Sequence, residues 1–119
     1  MLTLSLAVFG ACASLSSAHA QLLFSQYVDG NSNKKGLEIF NPDNTTANLS
    51  EYQIQQFSNG ATTATATFTL EGNLASQGKY LVGRSELKTE LDSSKLAVVN
   101  QVVNLSFNGD DALVLLHKG

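Results

Sequence analysis

From Gln21 onward, apolar and polar side chains alternate in short stretches separated by turn-forming residues. Ala66, Phe68 and Leu70 interleave with Thr65, Thr67 and Thr69, so one face is apolar and the other β-branched and polar. Val103, Leu105 and Phe107 interleave with Asn104, Ser106 and Asn108 in the same rhythm. Leu37 and Ile39 flank Glu38, and Tyr52 and Ile54 flank Gln53. Leu22–Val28, Tyr80–Val82, Leu96–Val99 and Ala112–Leu116 are more continuous apolar runs, as expected of central strands. Together these stretches predict about eight strands. Their apolar faces at Leu37/Ile39, Tyr52/Ile54, Phe68/Leu70 and Val103/Phe107 are the candidate core.

The intervening residues carry turn chemistry. Asp29–Asn33, Asn41–Asn44, Ser58–Gly60 and Asn108–Asp111 combine Gly, Asn and Asp, which tolerate positive φ or close Asx turns. Asn59-Gly60 and Asn108-Gly109 are the pair that two-residue hairpins favour, so each is expected to reverse the chain between neighbouring strands. One helical stretch is predicted, Ser85–Leu91, where Leu87 and Leu91 lie a helical turn apart. Short strands of this number in roughly a hundred residues predict an all-β, two-sheet antiparallel sandwich.

The first twenty residues break this pattern. Met1–Ala20 has no charged side chain, an apolar run over 2–13 and a small-residue ending with Ala18 and Ala20. The apolar run is shorter than the roughly 20 residues a bilayer span needs. The segment therefore reads as a secretory signal, residues 1–20, cleaved after Ala20, although no Lys or Arg precedes the apolar run. The single cysteine, Cys12, leaves with it. The mature domain, residues 21–119, is then expected to be secreted without membrane insertion, and to rely on packing without disulfides.

Charge narrows the function. Seven Lys and Arg against ten Asp and Glu give a net charge of −3, which provides no basic stripe for nucleic acid. His19 lies in the signal, so His117 is the one histidine of the mature chain. Neither a Ser-His-Asp nor a Cys-His arrangement can be assembled around a second histidine or a cysteine. No Gly-x-Gly-x-x-Gly or Gly-Lys-Ser/Thr sequence is present to cradle phosphate. The residues thus predict a module with no catalytic residues.

Three stretches together are similar to the bacterial lamin-tail domain: 23–41, which contains Tyr27-Val28-Asp29-Gly30 and Leu37-Glu38-Ile39-Phe40-Asn41; Leu49-Ser50-Glu51-Tyr52; and Phe107-Asn108-Gly109-Asp110-Asp111-Ala112. Gln26 stands where that pattern usually has an acidic residue, and Glu51 where it has glycine. The resemblance implies an immunoglobulin-like sandwich. It also implies strands beyond the Asp-Asp-Ala turn, so the sandwich is expected to be C-terminally truncated at Gly119. Such modules accompany extracellular nucleases and related hydrolases, or stand alone in exported proteins. The implied partner is a downstream catalytic domain, an extracellular polymer or another protein.

Two acidic patterns invite a metal. Asp29, Asn31 and Asn33 copy the opening of a calcium loop, in which alternate oxygens converge on the ion. Lys34 then replaces the required glycine and Phe40 the bidentate glutamate, so an Asx-rich turn is the competing reading. Asp110 and Asp111 form an acidic pair, but adjacent residues in a turn diverge, and capping of backbone N–H groups competes with metal binding. No cofactor is expected otherwise. Lys34 and Lys35, joined by Lys79 and Arg84, are the candidate basic patch for a phosphate backbone or polysaccharide. The expected function is a non-catalytic binding or scaffolding module of a secreted bacterial protein. The alternatives are the N-terminal piece of an extracellular nuclease or a calcium-dependent adhesion module.

Overall fold

A computed structural model of the chain describes residues 21–31, 33–95, 97–107 and 111–118, together with the backbone of 2–6. In chain order the elements are β1 (Leu2–Leu6), β2 (Leu23–Gly30), β3 (Lys34–Phe40), β4 (Ala47–Asn48), β5 (Tyr52–Phe57) and β6 (Ala66–Thr69). They continue with β7 (Asn73–Leu74), β8 (Lys79–Gly83), α1 (Ser85–Ser94), β9 (Gln101–Val102) and β10 (Ala112–Lys118). One sheet has the order β1-β10-β5-β6 and the other β2-β3-β8-β9, with β4 and β7 forming a small separate pair. Pairing is antiparallel except between β8 and β9. Neither sheet closes into a barrel.

The period-two pattern is what assembles the core. In β5, Tyr52, Ile54 and Gln56 are buried while Gln53, Gln55 and Phe57 are half-buried. Leu37 and Ile39 of β3, Val82 of β8 and Leu115 of β10 join Ile54 in one apolar cluster. The residues expected to form the core from sequence lie in that cluster, with Phe68 half-buried against it. Burial of such side chains, at ~25 cal/mol per Å² of apolar surface, is the main stabilising term.

One expected strand takes a different form. Val103, Leu105 and Phe107 are buried and Asn104 and Ser106 exposed, yet the segment joins neither sheet. Side chains meet two of its backbone groups. Leu105 O accepts from Arg84 Nη1 at 2.8 Å, and Ser106 N–H donates to Gln56 Oε1 at 3.2 Å. Alternation therefore reports an extended chain lying over the core, tied to β8 at its start through Val103 N–H to Gly83 O at 2.9 Å and to side chains beyond it. Of the strand expected at 96–99, the described residues 97–99 are irregular, and β9 follows them.

The chain does turn at Asn59-Gly60, but the connection is longer than a two-residue hairpin. Asn59 (φ 53°) and Gly60 (φ 78°) both take the left-handed conformation, and 58–65 separates β5 from its partner β6. The helix runs beyond the predicted Leu91 to Ser94, where Lys95 adopts φ 59° and donates its N–H to Leu91 O at 2.8 Å. Asn108, Gly109, Asp110, Cys12, Ala18 and Ala20 lie outside the described residues.

Residues 2–6 form β1, paired along β10 from Leu2 opposite Lys118 to Leu6 opposite Val114. These residues belong to the segment read as a signal. Among the described residues, no helix is long and apolar enough to cross a membrane.

Candidate functional site

Described residues line a polar pocket of about 450 Å³ at one end of the sandwich. Its walls come from the start of β2, the 41–48 loop, the β4–β5 connection and the end of β10. Asn41 fixes the loop. Fully buried, its Nδ2 donates to Thr45 O and Leu74 O at 2.9 Å each, and its Oδ1 accepts from Asp43 N–H at 3.0 Å. The Asn41 backbone adds an N–H bond to Gly78 O at 3.0 Å and accepts from Gln77 N–H at 2.8 Å. One asparagine thus ties its own loop to the 74–78 turn.

Tyr52 and His117 form the floor. Their rings stack with centroids 4.3 Å apart and planes inclined by 8°, as their opposed positions in the β5–β10 pair allow. His117 Nε2 lies 3.2 Å from Glu51 Oε1, so the carboxylate holds the imidazole. Burial pushes the Tyr52 phenol above its ordinary value, aided by the negative charges of Glu51 and Asp43 and opposed by a hydrogen bond from the Leu22 backbone. The pocket presents carboxylates and an imidazole to solvent, a set suited to hydroxyl or ammonium groups of a ligand. A carboxylate–imidazole pair is half of an acid–base apparatus.

His117 has no partner discernible in the sequence, whereas the fold gives it both Tyr52 and Glu51. The usable signal was the β5–β10 register, which no local pattern reveals.

The other candidates lie elsewhere. Asp29 and Lys35 are opposed across the β2–β3 pair, and Lys35 Nζ donates to Asp29 Oδ1 at 2.6 Å. Asn31 and Asn33 are exposed in the turn joining those strands, with Asn33 at φ 64°. Lys35 also sits 5.0 Å from the Phe107 ring centroid, a cation–π distance. Lys34 pairs with Glu90 at 3.1 Å and Arg84 with Glu86 at 3.1 Å. Lys79 pairs opposite Phe40 while Lys34 pairs opposite Gly30, at the two ends of β3, so the four cations do not make one patch. Asp111 Oδ1 accepts from Asn59 N–H at 3.0 Å and so links the turn before β10 to the one after β5. Among the described residues, no group of three His, Cys, Asp or Glu side chains is arranged to hold a metal.

The sheet order, the helix packed beside β3 and β8, and the polar end pocket stand beside one comparison with known families. The family described as Lamin Tail Domain matches residues 16–119. The chain belongs to the lamin tail domain family. No curated protein and no solved structure matches it. A lamin tail domain is a non-catalytic immunoglobulin-like module, and the two-sheet β architecture described above is of that kind. In this lamin tail domain the motif asparagine after Phe40 is the buried bracket Asn41, and the tyrosine after Glu51 is the stacked ring of the pocket floor.

Proposed function

We propose that this lamin tail domain is a binding and scaffolding module of an exported bacterial protein, released from its signal after Ala20 and without catalytic activity of its own. The observation that carries the reading is where its polar chemistry goes. Asn41 holds loops, Gln56 holds the 103–107 segment, and Lys34, Lys35 and Arg84 are each engaged by a carboxylate of the same domain. Side chains used in this way fix a surface. A nuclease or hydrolase in the same protein would be a neighbouring domain that this module positions.

The test has two parts. The chain is produced in an exporting bacterial host, recovered from outside the cells and sequenced from its N-terminus, which is expected to be Gln21. The same material is then incubated with DNA in the presence of magnesium, manganese or calcium, and no cleavage is expected. Retention inside the cells refutes export. Cleavage that Asp111→Ala abolishes refutes the non-catalytic role.

A further inference from the structure

At about 450 Å³ the end pocket falls within the range of small-molecule sites, about 300–1,000 Å³. Its polar groups are held in place. Tyr52 is buried, the His117 ring lies flat against it, and Glu51 Oε1 holds the imidazole at 3.2 Å. Asp43 is fixed by its own loop, since Oδ1 accepts from Asn44 N–H at 2.8 Å and Oδ2 from the Thr45 hydroxyl at 3.2 Å. Asn48 is oriented in a similar way. Its Oδ1 accepts from Ser50 N–H at 3.1 Å and from the Ser50 hydroxyl at 2.7 Å, which leaves Nδ2 to donate elsewhere.

One cavity thus combines two carboxylates, an amide donor, the exposed Thr46 hydroxyl and a fixed imidazole. Among the described residues that line it, none is Lys or Arg. Carboxylates accept from hydroxyl and ammonium groups, while the amide donates to a hydroxyl oxygen. An anionic ligand would meet like charge from Asp43 and Glu51. A neutral sugar would answer the hydrogen bonds and leave that charge unbalanced. A simple amine would answer the charge and leave the amide and the threonine unmatched. We propose that the pocket binds an amino sugar with a free ammonium group, Glu51 and Asp43 receiving the ammonium and Asn48 and Thr46 the ring hydroxyls. This names the ligand class of the binding role proposed above and rests on that role. Because the stacked rings and the Asn41-bracketed loop are already ordered, binding costs little further ordering.

The experiment measures binding to the full chain by calorimetry at neutral pH, with glucosamine, glucose and n-butylamine as probes. Glucosamine is expected to bind ~10-fold more tightly than either of the others, because it alone engages both sets of groups. Glu51→Gln removes one charge at nearly constant shape and is expected to weaken glucosamine binding ~10-fold. Thr46→Lys puts an ammonium of the chain into the pocket and is expected to abolish glucosamine binding in a protein that still unfolds cooperatively in urea. Glu90→Gln, on α1, is expected to bind glucosamine as the wild type does. Glucose binding as tightly as glucosamine overturns the proposal, since the ammonium is then not recognised. So does n-butylamine binding as tightly, since the hydroxyls are then not read. A folded chain that binds none of the three overturns it too, as does glucosamine binding that both Glu51→Gln and Thr46→Lys leave intact. None of these results bears on export or on the absence of cleavage, which stand or fall on the tests given above.

Discussion

Gly36 and Gly83 stand directly opposite each other in the β3–β8 pair, and Leu87 of α1 lies over both. A Cβ on Gly36 would come within 2.6 Å of Leu87 Cδ2, and one on Gly83 within 2.9 Å. Leu87 is 4% exposed, so the helix docks through this one leucine in a notch that two missing side chains create. Gly36→Ala is expected to destabilise the domain by ~1–3 kcal/mol through overpacking. Leu87→Ala is expected to cost ~2–5 kcal/mol by leaving a cavity. In the double variant the new methyl enters that cavity, so the combined loss in urea unfolding should be smaller than the sum of the two. Strict additivity would show that the notch does not seat the helix.

Gln56 makes a second kind of attachment. It is 1% exposed, its Nε2 donates to Ser106 Oγ at 3.0 Å, and its Oε1 accepts from Ser106 N–H at 3.2 Å. Because residues 104–107 pair with no strand among the described residues, this side chain replaces part of a ladder. Gln56→Ala leaves the Ser106 N–H without its acceptor, and the loss is expected at ~1–3 kcal/mol. Amide hydrogen exchange should accelerate most at Ser106 and less along β5. Equal acceleration throughout β5 would mean that the glutamine supports the sheet instead of the overlying segment.

Much of this architecture was legible in the alternation of side chains. Leu37, Ile39, Tyr52 and Ile54 are buried where the pattern puts them, because a period of two leaves only one face for the core. What alternation cannot report is the hydrogen-bond partner. The 103–107 segment and a true strand have the same side-chain rhythm, and only the distant Arg84 and Gln56 distinguish them. The pocket was hidden for a related reason. Glu51, Tyr52 and His117 meet through the register of β5 with β10, a contact spanning some 65 positions that no local spacing encodes. Asp29 and Lys35 were visible individually, but their mutual pairing becomes apparent only once the hairpin is closed.

Alkaline stability follows from two tyrosines. Burial raises the phenols of Tyr52 and Tyr80 above 10.0, with Glu51 and Asp43 adding at the first and Glu71 at the second. The folded state therefore holds these protons more tightly than the unfolded chain does. Their contribution is complete below pH 10.0 and is lost as pH rises through the higher folded values. The midpoint of urea unfolding in wild type should fall through this range. Tyr80→Phe should show a shallower fall, although at neutral pH it loses the hydroxyl bonds to Glu71 O and Gln101 Oε1, both 2.9 Å. An unchanged slope would mean that the Tyr80 proton is not coupled to folding.

The last prediction concerns the bracket behind the pocket. Asn41 meets carbonyls on both sides of a loop and has no exposed surface, so no water can take its place in the intact fold. Asn41→Ala leaves Thr45 O, Leu74 O and Asp43 N–H without their shared partner, and several unmet polar groups outweigh the lost side-chain volume. The expected cost is ~2–4 kcal/mol if two or more of those groups stay dry. Asn41→Asp offers a sharper comparison. It keeps the acceptor for Asp43 N–H but presents an oxygen to carbonyls that need a donor, so it should be at least as damaging as alanine. The loop at 43–46 should become the first site of limited proteolysis in both variants, while cleavage at the 58–65 connection stays at the wild-type rate. If the 58–65 connection is cut first, Asn41 supports the whole sandwich and not the pocket wall in particular.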